Sequence, residues 1–141
     1  MSELIDTLVI SGGGSKSISV VGTLKYLDDK NVLKNIKRYA GSSAGSVIAL
    51  MLNIGYTPEE IRNTFFSQNS SIINDPFYRK AWNFINYYGM NSGNKIVDYL
   101  RKLIRDKGFN ENITFLELKH QTGKMLVVTG TSLTDQNTYY F

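Results

Sequence analysis

The chain has 141 residues, 42% hydrophobic and 20% charged, with only 2 prolines; this is enough for one folded domain with a real core, and it is neither a disordered nor a fibrous composition. It carries no cysteine and 1 histidine, which excludes a disulfide framework and a zinc site made of nitrogen and sulfur ligands. The formal charge of +4 is spread along the chain without a dense run, so the clustered basic footprint of a nucleic-acid binder is missing and no nucleic-acid partner is expected.

The first residues, "MSELIDTLVISGGG", begin with acids and a short apolar run, unlike the basic start and long apolar stretch of a signal peptide. No stretch approaches the roughly 18 apolar residues that span a bilayer. A cytoplasmic location, or one peripheral to membranes, is expected. "LIDTLVI" (Leu4 to Ile10) is rich in Leu, Ile and Val and bounded by "SGGGS", the pattern of a buried strand. Ile18, Val21, Leu24 and Leu27 then recur every three residues and predict a helix to Asp29.

"IKRYA" (Ile36 to Ala40) predicts a second strand, and "AGSVIALMLNIG" a helix ended by Gly55. Thr57, Pro58 and Glu60 form a capping box that opens another helix. Two further helices are predicted in "PFYRKAWNFINYYG" and "SGNKIVDYLRKLIRDKG"; Ile96, Tyr99, Leu100, Leu103 and Ile104 share one face of the second. "TFLE" (Thr114 to Glu117) is a second capping box. "KMLVVTGTSL" and "NTYYF" read as strands, joined by the turn "TDQN".

No repeat or linker divides the chain, so residues 1–141 are taken as one domain. Strand, helix, strand, helix, then helix and strand again argue for an α/β fold with a largely parallel sheet and a right-handed first crossover. The last strand ends with the chain and leaves an open edge, which points to the amino-terminal part of a longer domain.

Two motifs follow two strands. "SGGGSKS" leads from the first strand into the first helix, and "GSSAG" from the second strand into the second helix. Loops after parallel strands lie at the carboxyl edge of the sheet, where ligands bind. In Gly41-x-Ser43-x-Gly45 the serine sits on a tight strand-to-helix turn, and the glycines avoid side-chain clashes there. The helix start favours negative charge beside the hydroxyl, and bare amides of Gly12, Gly13 and Gly14 can converge on a developing oxyanion. Ser43 is therefore the candidate nucleophile, and Ser42 fills the turn. "SGGGSKS" also suits a phosphate cradle at a helix N-terminus, although neither the G-x-x-x-x-G-K-[ST] nor the complete G-x-G-x-x-G spacing is met.

A base for Ser43 is harder to find. His120 lies near the end of the helix preceding "KMLVV", which puts it at the amino edge, opposite Ser43. Asp135 follows a strand on the correct edge but belongs to a turn sequence. Asp98 and Asp106 sit on the polar side of an amphipathic helix. "FYRKAWNFINYYGM" (Phe77 to Met90) interleaves aromatics with Arg79 and Lys80, which suits either a lipid-facing element or a buried helix.

"LVISGGGSKSISVVGTLKYL" together with "YAGSSAGSVIALMLNIGYTPEEI" resembles the patatin-like phospholipases, with similarity to viral and bacterial members, and the likeness continues through "GMNSGNKIVDYLRKLI" to the final strands. The resemblance implies a three-layer α/β/α fold and a serine lipid acyl hydrolase that acts on phospholipids or acylglycerols. It further implies a Ser-Asp dyad without histidine, metal or cofactor, and transient contact with a membrane surface. On that likeness Ser43 is the nucleophile, Gly41 and Gly45 flank its elbow, Gly12 to Gly14 form the oxyanion loop, and Lys16 is the basic residue within it. Two departures stand out: Ser17 replaces the family's closing glycine, and the Asp-Gly-Gly or Asp-Gly-Ala motif carrying the base is absent from these residues. The dyad aspartate is expected beyond Phe141. A non-catalytic lipid- or protein-binding module on the same fold remains the alternative, with the phosphate binder as a third.

Overall fold

A computed structural model describes residues 5–67 and 93–141. The predicted aromatic helix over residues 76–89 lies outside them. The chain forms two compact units, one from Met1–Asn63 with Ile113–Phe141 and the other from Thr64–Asn112.

The first unit is built on a four-stranded sheet in the order β1-β2-β3-β4, with β1 at Thr7–Ile10, β2 at Arg38–Gly41, β3 at Met125–Thr131 and β4 at Thr138–Tyr140. The first three strands are parallel, with Ile10 opposite Gly41 and Gly41 opposite Val128; β4 returns antiparallel on β3. The sheet is thus largely parallel, as expected. Its last strand must reverse because the short turn between β3 and β4 cannot carry the dozen or more residues of a parallel crossover. Both early strands begin later than predicted, β1 at Thr7 and β2 at Arg38, and β2 runs one residue further, to Gly41. Residues before β2 close a 3-10 turn over Leu33–Asn35, and the Asp6 carbonyl caps the entry to β2 by accepting from the Lys37 and Arg38 amides.

Helices α1 (Ile18–Asp29) and α2 (Ala44–Asn53) follow the first two strands. In α1, Val21 and Leu24 are buried, as the threefold spacing demanded. The α2 sequence "AGSVIALMLN" has no charge, and the helix packs across β1, β2 and β3 with Ile48, Ala49, Met51 and Leu52 all buried. Each large side chain of this kind contributes roughly 2 kcal/mol. Residues of the sheet alternate accordingly: Ile10 and Tyr39 are buried, while Val9, pointing the other way, is 72% exposed.

Both capping boxes form. Glu60 N–H donates to Thr57 Oγ1 at 3.2 Å and Thr57 N–H to Glu60 Oε2 at 2.7 Å, at the start of α3 (Pro58–Ser67). Thr114 and Glu117 repeat this at 3.2 and 2.8 Å for α5 (Phe115–Thr122). These hydrogen bonds, led by the Thr114 backbone amide, hold the Glu117 carboxyl below its ordinary range. Gly55 ends α2 with φ +92°, the left-handed conformation predicted for it.

In the second unit α4 (Asn94–Asp106) buries Leu103. Tyr99, Leu100 and Ile104 are half-buried on the predicted apolar face, and Ile96 is exposed. Asp98 and Asp106 lie on its exposed side, Asp106 paired with Lys102. None of the helices among the described residues is long and apolar enough to cross a membrane.

Candidate active site

The turn between β2 and α2 is tightly constrained. Ser43 has φ +52° and ψ −127°, a conformation that a side chain makes costly, by on the order of 1–3 kcal/mol. Such strain persists only where the surroundings leave no alternative. Here a Cβ on Gly45 would lie 2.3 Å from the Ile10 carbonyl oxygen and 2.6 Å from that of Ser11. A Cβ on Gly41 would lie 2.5 Å from the Gly45 oxygen and from the Ser46 Cα. The glycines flanking Ser43 are therefore required by close packing of α2 on the ends of β1 and β2.

Hydrogen bonds lock the same turn. The Ser42 amide donates to the Ile10 carbonyl at 3.2 Å, Gly45 N–H to Ser42 O at 2.9 Å, and Ser46 N–H to Ser43 O at 3.0 Å; the Ser46 hydroxyl also donates to Ser43 O. The two serines differ in kind. Ser42 is half-buried and its hydroxyl accepts from Thr129 Oγ1 of β3 at 3.0 Å. Ser43 is exposed, its side chain makes no cap for α2, and its hydroxyl has no partner among the described residues.

The glycine loop after β1 meets this turn. A Cβ on Gly12 would lie 3.1 Å from Ser43 Cβ and 3.3 Å from Ser42 O, so the loop passes directly beside the exposed serine. Gly12, Gly13 and Gly14 are all exposed, and among the described residues the amides of Gly12 and Gly13 donate no hydrogen bond. The loop then closes through Lys16 N–H to Gly13 O at 3.1 Å, and Gly14 takes φ +54°. Lys16 is exposed on this loop. Neither α1 nor α2 carries an acidic residue in its first turn, so the positive ends of both helices remain uncompensated at the carboxyl edge. An exposed hydroxyl beside unused amides and two helix starts can attack a carbonyl carbon and have the resulting oxyanion held, once a base takes its proton.

The other predicted candidates do not join the cluster. His120 is exposed in the last turn of α5, ahead of the amino end of β3. Asp135 follows β3 at the carboxyl edge but is engaged in its own turn. Its oxygens accept from the Tyr139 hydroxyl and from the Asn137 amide at 3.4 Å. The Ser132 and Tyr139 side chains hold its carboxyl below the usual range, which makes it a weaker base. Among the described residues no group of three or more acidic or histidine side chains could hold a metal ion. Two features escaped the sequence reading: the Thr129 contact with Ser42, which needs the β2–β3 register, and the burial of Ser17 beneath the glycine loop (3% exposed).

Comparison with known proteins covers the same segments. The sequence model of a family described as "Patatin-like phospholipase" matches residues 8–141. An uncharacterized protein of Acanthamoeba polyphaga mimivirus is 34% identical over 138 residues, which is 97% of this chain and 45% of that protein. A protein of Invertebrate iridescent virus 6 named as a probable lipid hydrolase is 35% identical over 130 residues, 91% of this chain and 43% of its own length. The chain therefore spans less than half the length of these curated relatives. Among solved structures, the Pseudomonas aeruginosa type III secretion protein ExoU, in complex with SpcU, superposes with a TM-score of 0.70 at 20% identity, covering 98% of this chain and 35% of ExoU. A second ExoU structure gives 0.63 at 19% identity over 97% of this chain and 35% of its own. At that identity the likeness is one of fold.

Proposed function

The chain belongs to the patatin-like phospholipase family, and on that premise we propose that it carries the nucleophile and oxyanion site of a serine lipid acyl hydrolase. One observation carries the reading: Ser43 is held in a strained conformation with its hydroxyl exposed, directly beside a glycine loop with unused amides. A phosphate cradle on "SGGGSKS" does not call for a strained serine outside that loop.

In the proposed reaction Ser43 Oγ attacks the carbonyl carbon of a carboxylic ester and passes its proton to an aspartate. The carbonyl oxygen becomes an oxyanion, held by amides of Gly12, Gly13 and Gly14. Collapse breaks the ester C–O bond; the aspartate returns the proton to the leaving alcohol, and the acyl group stays on Ser43. Water, deprotonated by the same aspartate, then releases the fatty acid and restores the serine. The aspartate comes from outside the described residues, and the family resemblance puts it beyond Phe141. The substrates are phospholipids or acylglycerols, met at a membrane surface. Leu133, 90% exposed in the β3–β4 turn at the same edge of the sheet, suits such contact.

The test is a fluorophosphonate probe applied to the full-length protein. Covalent labelling of Ser43, together with release of fatty acid from phospholipid vesicles, is the expected result. Absence of label on Ser43 removes the hydrolase reading and leaves a non-catalytic lipid- or protein-binding module on this fold.

A further inference from the structure

Ser17 stands at the N-cap position of α1, where serine is favoured because its oxygen accepts from the first helical amides. It does not cap: its φ and ψ of −61° and −13° are helical and its side chain makes no cap hydrogen bond. The residue is 3% exposed, and its hydroxyl has no hydrogen-bond partner among the described residues. Buried hydroxyls are almost always paired, so an orphan calls for a specific reason. Its position supplies one. Ser17 Oγ lies 3.1 Å from where a Cβ on Gly13 would be, hard against the inner side of the glycine loop. The loop does not need this hydroxyl to keep its turn, which Lys16 N–H to Gly13 O and the Ser19 hydroxyl to Lys16 O, at 3.1 and 2.8 Å, already close.

We infer that Ser17 is a positioning residue for the oxyanion loop: its hydroxyl is a latch that donates to the carbonyl of the Gly12–Gly13 peptide when the loop turns its amides toward Ser43. In a planar trans peptide the C=O and N–H point in opposite directions. Gripping the Gly12 carbonyl from the buried side therefore aims the Gly13 amide away from the interior, into the exposed space of the loop that passes beside Ser43. The hydroxyl stays unpaired in the resting loop and gains its partner as the oxyanion forms. Its energy thus enters the transition state and not the ground state, where it raises the catalytic rate.

This rests on the hydrolase reading, and the experiment keeps the two apart. In the full-length protein, S17A and S17C are compared with wild type for the rate of fluorophosphonate labelling at Ser43, for kcat and KM on a soluble short-chain ester, and for Tm. Expected for S17A is a fall of about tenfold in labelling rate and kcat, with KM held within about twofold. Its Tm is unchanged or higher by roughly 2–4 °C, because an unpaired buried hydroxyl has been removed. S17C keeps part of the rate through its weaker S–H donor. Wild-type rates in S17A overturn the inference, and so does a lower Tm in S17A, since that means the hydroxyl was already paired in the resting fold. An unlabelled wild-type Ser43 takes down the hydrolase reading and the latch together; a labelled wild type with an equally fast S17A takes down the latch alone.

Discussion

The two turns at the carboxyl edge of the sheet follow one plan, a short parallel strand running through glycines into a helix, yet they differ in how tightly they are held. After β2, the backbone is over-determined: Gly41 and Gly45 have no room for a methyl group, three amides are tied down, and Ser43 is strained as a result. After β1, a Cβ on Gly14 would meet nothing within 4 Å, the Gly12 and Gly13 amides are unused among the described residues, and Ser17 is buried without a partner. The difference is one of degree: approaches of 2.3–2.5 Å fix the turn under the hydroxyl, whereas in the loop beside it those at Gly12 and Gly13 ease to 3.1 Å and Gly14 is open. That division suits acyl transfer, in which the attacking atom needs a fixed direction while the oxyanion donors must settle around a charge that exists only briefly.

The largest effect expected from breaking this contrast is at Ser43 itself. S43G removes the hydroxyl, and labelling and hydrolysis should fall at least about a thousandfold. Stability should move the other way. Glycine relieves roughly 1–3 kcal/mol of strain at φ +52°, against a cost of about 0.4–1 kcal/mol from the looser unfolded chain. Relief of strain outweighs that cost, so S43G should melt at a higher temperature than wild type in a calorimetric scan. A lower Tm means that the turn is not strained and that its resemblance to a nucleophile elbow is superficial. G45A comes next. It drives a methyl group into the Ile10 and Ser11 carbonyls, and because backbone atoms cannot rotate aside, the loss should reach about 3 kcal/mol or more. G14A, in open space, meets only the penalty of a positive φ, about 1 kcal/mol. Equal losses in urea denaturation of the two variants would erase the distinction between a tight turn and a slack one.

Much of this is legible in the sequence. The glycines at 41 and 45 announce a close approach, the two capping boxes form as written, and the antiparallel last strand is implicit in the brevity of "TDQN". Chain direction alone is enough to put His120 at the edge away from Ser43. Burial is less readable. Val9 and Ile10 are both apolar, but only the strand's phase against α2 separates one that is 72% exposed from one that is 4% exposed. Ser17 looks in sequence like any serine before a helix. Its failure to cap and its place beneath Gly13 depend on the 3-10 turn over Gly14–Ser17, which local propensity does not specify.

The smallest effect expected, and the sharpest test of which serine matters, is at Ser42. Its amide ties the turn to β1 through the Ile10 carbonyl, and alanine keeps that bond. What S42A loses is the acceptor for Thr129 Oγ1. Thr129 is exposed, so its hydroxyl turns to water and the cost stays within about 1 kcal/mol, the usual net value of one hydrogen bond. Ser43 keeps its strained backbone because Gly41, Gly45 and the Ser46 contacts impose it, not the neighbouring hydroxyl. Labelling of Ser43 in S42A should therefore remain within about threefold of wild type, the scale of a slightly loosened neighbour and not of a lost nucleophile. If labelling disappears in S42A and survives in S43G, the roles of the two serines are reversed. The strain at Ser43 would then serve only to swing the chain from β2 into α2.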